Sequence, residues 1–207
     1  ERAPMCGVPF HAVDSYLAKL IRAGKKVAIC EQLEDPSAAR GIVKRDVTRI
    51  VTPGTVMEDS ILESNKHNYL AGIFRARNSF ALALLDLSTG LFTVEETCVP
   101  ESLAESLRSF APTECAISDE QEQDADVKKA LSAMPDLHVS VCEAWTFDYD
   151  AAYHNLAGHF GVRSLEGFGC EGNAAVVGAA GGVLHYVKDD LRRQVGHVRS
   201  LRIAATS

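Results

Sequence analysis

The chain has 207 residues, 46% of them apolar, and a net charge of −7, enough for one large domain or two small ones. The charge is uneven: residues 1–56 carry 9 Lys+Arg against 6 Asp+Glu, and residues 57–207 carry 12 against 22. A net-acidic stretch is repelled by a phosphate backbone, so any nucleic-acid contact belongs in the first quarter. The longest apolar run, Ala174 to Leu184, is broken by glycines and falls far below the roughly 20 residues of a membrane span, which excludes that class of helix.

In chain order, Val13, Leu17, Leu20 and Ile21 form the stripe of a helix over His11 to Ala23, stopped by Gly24. Val27 to Cys30 reads as a short strand. Asp35-Pro36 caps a short helix ending at Gly41, and a second strand runs from about Arg45 to Thr52, closed by the Pro53-Gly54 turn. Residues 57–66 are polar and read as a linker. Strands then follow at Tyr69–Phe74, Phe80–Leu87 and Leu91–Glu95, joined by connections short enough for hairpins.

Pro100 opens a helix in which Leu103, Leu107 and Phe110 share a face. A strand at Glu114–Ser118, a helix over Asp126 to Met134 and a strand at Leu137–Cys142 follow. Helices at Tyr149–Phe160 and from about Asn173 to Arg193 complete the pattern, and the last dozen residues read as frayed. Three hairpin-linked strands before αβαβ units predict one mixed sheet, the architecture of a ribonuclease-H-like fold. A fold by itself assigns no function.

Several motifs invite a chemical reading. Gly167-Phe168-Gly169-Cys170-Glu171-Gly172 is a literal G-x-G-x-x-G, but a helix precedes it where the dinucleotide fingerprint needs a strand, so it predicts a turn between helices. Asp86, in Ala83-Leu84-Leu85-Asp86-Leu87, sits where ribonuclease-H-like nucleases place a metal-binding carboxylate. Its neighbours offer only Glu95, Glu96 and Glu114, so the favoured reading is an aspartate bonding the Ser88-Thr89-Gly90 turn. A metal-dependent nuclease centred on Asp86 is the alternative.

His154 and His159 are five apart, the wrong spacing for a shared metal face. No phosphate-binding G-x-x-x-x-G-K-[ST] occurs, which argues against ATP hydrolysis by this chain. The six cysteines show no C-x-x-C pair and read as small buried residues in a reducing, cytoplasmic compartment. Lys44, Arg45 and Arg49 are the densest basic group and fit either phosphate contacts or the charged edge of a strand.

Gly7 to Val13 with Tyr16 to Leu20, Val27 to Gln32 and above all Thr48-Arg49-Ile50-Val51-Thr52-Pro53-Gly54-Thr55 resemble the mismatch-reading domain of the bacterial MutS family. Leu85 to Gly90 and Leu165 to Gly169 resemble that family's connector domain. The resemblance implies an α/β chain in two parts: a partial mixed α/β mismatch-binding domain at 1–56, a linker at 57–66 and a ribonuclease-H-like connector at 67–207.

The family's members are homodimeric clamps that bind mispaired or unpaired bases in duplex DNA, use ATP and Mg at a distant domain, and recruit a MutL-type partner. The resemblance places the family's Phe-x-Glu reader upstream of Glu1 and its lever, clamp and ATPase domains downstream. It therefore implies a non-catalytic piece with no cofactor of its own. It also implies DNA-phosphate contacts for Arg45, Lys44 and Arg49, and partner docking for His154 and Asn155, although His154 departs from the amide expected there.

Overall fold

The computed structural model describes residues 8–34, 43–57 and 67–204. The predicted helix at Asp35–Gly41 and residues 58–66 of the predicted linker lie outside the described residues.

The first unit is an amphipathic helix over a hairpin. Helix α1 (Val13–Arg22) turns Leu17 and Ile21 inward, and strands β1 (Val27–Gln32) and β2 (Arg45–Val51) pair antiparallel beneath it. Leu17, Ile21, Val51 and Val56 are its buried apolar core, with Val27 and Ile29 packed against them. A single turn of 3₁₀ helix at Pro53–Thr55 follows, capped reciprocally by Thr52 and Thr55.

The second unit begins with three antiparallel strands, β3 (Tyr69–Ala76), β4 (Ser79–Asp86) and β5 (Leu91–Thr97). Helix α2 (Pro100–Phe110) leads into β6 (Glu114–Ser118), which returns parallel to β3. A one-turn helix α3 (Asp119–Glu122), helix α4 (Ala125–Ser132) and β7 (His138–Cys142) extend the parallel side. Helices α5 (Tyr149–Phe160) and α6 (Ala174–His185) then cross the opposite face.

The sheet order is β7-β6-β3-β4-β5-β8, with the final strand β8 (Arg202–Ala204) parallel to β5. This is the mixed sheet expected of a ribonuclease-H-like fold, extended by one strand. Its central strands β3 and β4 read as nearly unbroken apolar runs because both faces are covered. In β4, Ala81, Ala83 and Leu85 face the core under α5 and α6, whereas Phe80, Leu82 and Leu84 face that under α2 and α4.

Helix α6 is buried on every side, from Ala175 to Leu184, which explains why its sequence carries no polar stripe. Small residues let its neighbours close in. A Cβ at Gly182 would lie 2.4 Å from the Phe147 ring, and one at Gly181 would lie 2.5 Å from Cα of Ala152.

Three expectations are corrected. The last helix does not reach Arg193: α6 ends at His185, and a wider π turn spans Tyr186–Asp190, closed by the Leu191 N–H on the Tyr186 carbonyl at 2.9 Å. The last dozen residues are not frayed throughout, because β8 finds the open edge of β5, a partner that no local pattern in a three-residue strand reveals. The cysteines are not uniformly buried: Cys115, Cys142 and Cys170 are, while Cys30 and Cys98 are exposed. Burial raises the Cys142 thiol to about 12, so it remains protonated and packs as an apolar group.

Candidate functional site

Asp86 closes β4 and is 1% exposed. Its Oδ1 accepts from the Ser88 N–H (3.0 Å), the Ser88 hydroxyl (2.6 Å) and the Thr89 N–H (3.4 Å), and Oδ2 lies 2.6 Å from Nδ1 of His67. Burial pushes the carboxyl's pKa up, but the bonds from Ser88, His67 and Thr89 outweigh it and leave the group below its ordinary value. Asp86 thus organises its turn, as the favoured reading expected.

The other carboxylates considered with it go elsewhere. Glu95 accepts from Ser106 at 2.7 Å, Glu96 from Asn173 at 2.7 Å, and Glu114 from three groups described below. Among the described residues no cluster of three His, Cys, Asp or Glu could hold a metal ion. The glycine-rich segment forms a 3₁₀ turn at Glu166–Phe168 between α5 and α6, with positive φ at Gly169 (+75°) and Gly172 (+75°). A helix precedes it, so it lacks the strand that would aim a helix at a pyrophosphate.

The basic group is split by the pairing of its hairpin. Lys44 and Arg45 are exposed and Arg49 is half-buried. Lys44 stands just before β2, where its backbone N–H donates to Glu34 (2.7 Å) and its carbonyl accepts from Leu33 (3.0 Å). The register runs Gln32↔Arg45, Glu31↔Asp46 and Cys30↔Val47, then jumps to Ile29↔Arg49, leaving Thr48 as a bulge. An inserted residue reverses the alternation beyond it. Arg45 therefore shares a face with Val47, while Arg49 shares the opposite face with Ile29 and Val51. Sequence spacing alone puts Arg45 and Arg49 on one face.

On α5, His154 is exposed, its Nδ1 2.7 Å from the Asp150 carbonyl oxygen one turn back. Asn155 turns inward, and its side-chain N–H donates to the Gly181 carbonyl of α6 at 3.1 Å. The two residues thus do different jobs: His154 faces outward, and Asn155 fastens α5 to α6. His159 is also engaged, with Nε2 2.7 Å from the Val198 carbonyl oxygen.

Sequence reasoning missed the seam between the two units. The Ile50 N–H donates to the Leu191 carbonyl (2.9 Å), and Arg192 donates to the Val47 carbonyl (2.5 Å) with Asp46 at 3.4 Å. Arg193, 6% exposed, donates to the Thr55 carbonyl at 3.1 Å, and the Asn68 side chain donates to the Pro53 carbonyl at 2.9 Å. The Gly54 N–H donates to Glu114 at 3.0 Å.

Leu191, Arg192 and Arg193, which make these contacts, directly follow the wide turn, and Arg192 has a positive φ of 54°. The Thr52-Pro53-Gly54-Thr55 segment is likewise buried except at its proline. Its sequence signals a turn and carries the family resemblance, and neither says what the turn packs against.

Residues 68–199 match the family model of MutS domain II, and residues 1–60 match that of MutS domain I. The DNA mismatch repair protein MutS of Symbiobacterium thermophilum is 42% identical over 205 residues, covering 98% of this chain and 23% of that protein. That of Alkaliphilus metalliredigens is 39% identical over 207 residues, covering 98% of this chain and 24% of that protein. The chain spans about a quarter of the length of these curated relatives. With the domain II model matching more than half of the chain and the domain I model matching the stretch before it, the chain belongs to the MutS family.

Proposed function

We propose that this chain is the connector and the DNA-phosphate-contacting edge of a mismatch-recognition protein. Residues 1–56 supply part of the mismatch-binding domain, residues 67–207 the connector, and 57–66 the link between them. In this reading the whole protein is a cytoplasmic homodimer that binds mispaired or unpaired bases in duplex DNA. ATP and Mg act at another domain, and the resulting clamp change recruits a MutL-type partner. This stretch performs no catalysis and holds no cofactor.

The observation that carries the reading is the paired match of this chain to the models of domains I and II, beside a relative named for DNA mismatch repair. The charge asymmetry and the exposure of Lys44 and Arg45 support phosphate contacts within residues 1–56, with Arg49 assigned to the same role from the other face of the strand. The exposure of His154 supports α5 as the partner-facing helix, and Asn155 serves that face by holding α5 on α6.

Fluorescence anisotropy of matched and G·T-mismatched duplexes across a salt series tests this. Weak binding equal for both duplexes is expected, falling steeply with salt. Replacement of Arg45 with Ala should reduce the salt slope by about one. Preferential mismatch binding, or an unchanged slope in the variant, would overturn the assignment.

A further inference from the structure

Glu114 is a fully buried carboxylate at the start of β6, with 0% exposure. Its three donors come from three separate places. Oε1 accepts from the Ser140 hydroxyl of β7 (2.7 Å) and from the Tyr186 hydroxyl at the start of the π turn (2.6 Å). Oε2 accepts from the Gly54 N–H of domain I at 3.0 Å. The Tyr186 hydroxyl also lies 3.0 Å from Ser140 Oγ, closing the set within domain II.

The fit on the domain I side is equally restrictive. A Cβ at Gly54 would lie 2.7 Å from Cβ of Glu114 and 3.2 Å from Cβ of Leu70, so only glycine brings this N–H to the carboxylate. Lys26, just before β1, sits over the Tyr186 ring with Nζ 5.3 Å from its centroid. Two points of domain I thus rest on one tyrosine and its carboxylate partner. Burial also pushes the Tyr186 phenol well above its ordinary pKa, so the hydroxyl keeps its proton.

We propose that Glu114 is an interdomain latch: Tyr186 and Ser140 hold its carboxylate in the one orientation that receives the Gly54 N–H, and this seats domain I on domain II. The inference rests on the connector reading and deepens it. Strand β2 runs directly into the latched turn, so the latch sets the angle at which Arg45 is presented. Tyr186 follows α6, and α6 is tied to α5 through Asn155 and Gly181. A shift of α5 and α6 would therefore move the hydroxyl that orients the carboxylate. A seated domain keeps the bond to Gly54, whereas a lifted one exposes both partners to water, giving the two discrete states that coupling requires.

The test is backbone hydrogen exchange on this full chain, without DNA or partner. Tyr186→Phe removes one donor from the domain II side, and Gly54→Ala disrupts the contact from the domain I side. Exchange across residues 50–55 should rise by about tenfold or more in each, because a buried acceptor loses its alignment, while Leu82 to Leu85 of β4 keep their wild-type rates. Wild-type rates at 50–55 in both variants would overturn the latch. Equal acceleration at 50–55 and in β4 would also overturn it, making Glu114 a plain core stabiliser. Should Gly54→Ala not fold, Ser140→Ala with Tyr186→Phe carries the same comparison. Because no DNA is present, failure here leaves the mismatch-recognition reading standing, and failure of the anisotropy test leaves the latch untouched.

Discussion

Domain I and domain II bury their apolar residues on different scales. Among the described residues, domain I has one buried apolar cluster of four, formed between one helix and the hairpin, whereas domain II has two clusters, of twenty-seven and twelve, on either side of a six-stranded sheet. The larger domain is stabilised from within, and the smaller one leans on it. Its second strand bonds Leu191, its turn bonds Glu114 and Arg193, and Ile50 packs against the core of domain II. A four-residue core offsets little conformational entropy, so in this structure the seam is part of what holds domain I in its observed form.

The largest effect should come from the core of domain II. Phe147 is fully buried and fills the space beside Gly182, and Phe147→Ala should cost about 3–5 kcal/mol, read as a lower urea midpoint. Leu17→Ala in domain I should cost about 2 kcal/mol, at the low end for a buried leucine. Followed by hydrogen exchange, it should release α1 and the hairpin while β3 to β5 keep their protection. If instead β3 to β5 loosen equally, the two domains melt as one unit and the contrast drawn between them fails.

Asp86 probes the edge of the larger domain. Its folded pKa lies below the ordinary value of 3.8, so its contribution is fully present above that value and is lost as pH falls through the lowered one. Asp86→Asn should cost about 1–3 kcal/mol at neutral pH, because bonds from two backbone N–H groups and a hydroxyl weaken. Its stability should also fall less steeply than wild type below pH about 4, as urea midpoints at stepped pH would reveal. Parallel acid limbs would place the titration elsewhere. The smallest effect is expected at Asp124, which caps α4 at the N–H groups of Asp126 and Val127 and receives Arg75 at 2.8 Å. Asp124→Ala should cost about 1 kcal/mol, and thermal melts should show that loss without any change in domain I.

Local signals carried most of the element pattern. The strand expected at Phe80–Leu87, the Pro100 helix start and the strand expected at Leu137–Cys142 all appear within a residue of where the sequence puts them, because each element's own residues decide it. Asp86 was legible as a turn residue for the same reason, since Ser88 and Thr89 lie two and three residues ahead in the chain, whereas its bond to His67, 19 residues back, was not. Glu114 was not. Its partners are 60, 26 and 72 residues away, and nothing in Glu-Cys-Ala-Ile-Ser distinguishes a buried acceptor from a solvated strand end.

The sequence by itself determined the hairpins, the crossovers that make the sheet mixed, the turn at Pro53-Gly54 and, through the words around that turn, the family. Each of these depends on residues within a few positions of one another. Tertiary structure alone decided the rest. The open edge of β5 recruited β8, packing against domain I accompanied a helix end widened into a π turn, and a bulge opposite Ile29 and Cys30 put Arg45 and Arg49 on opposite faces. In each case the deciding partner lies far away in the chain, and short-range patterns carry no information about it.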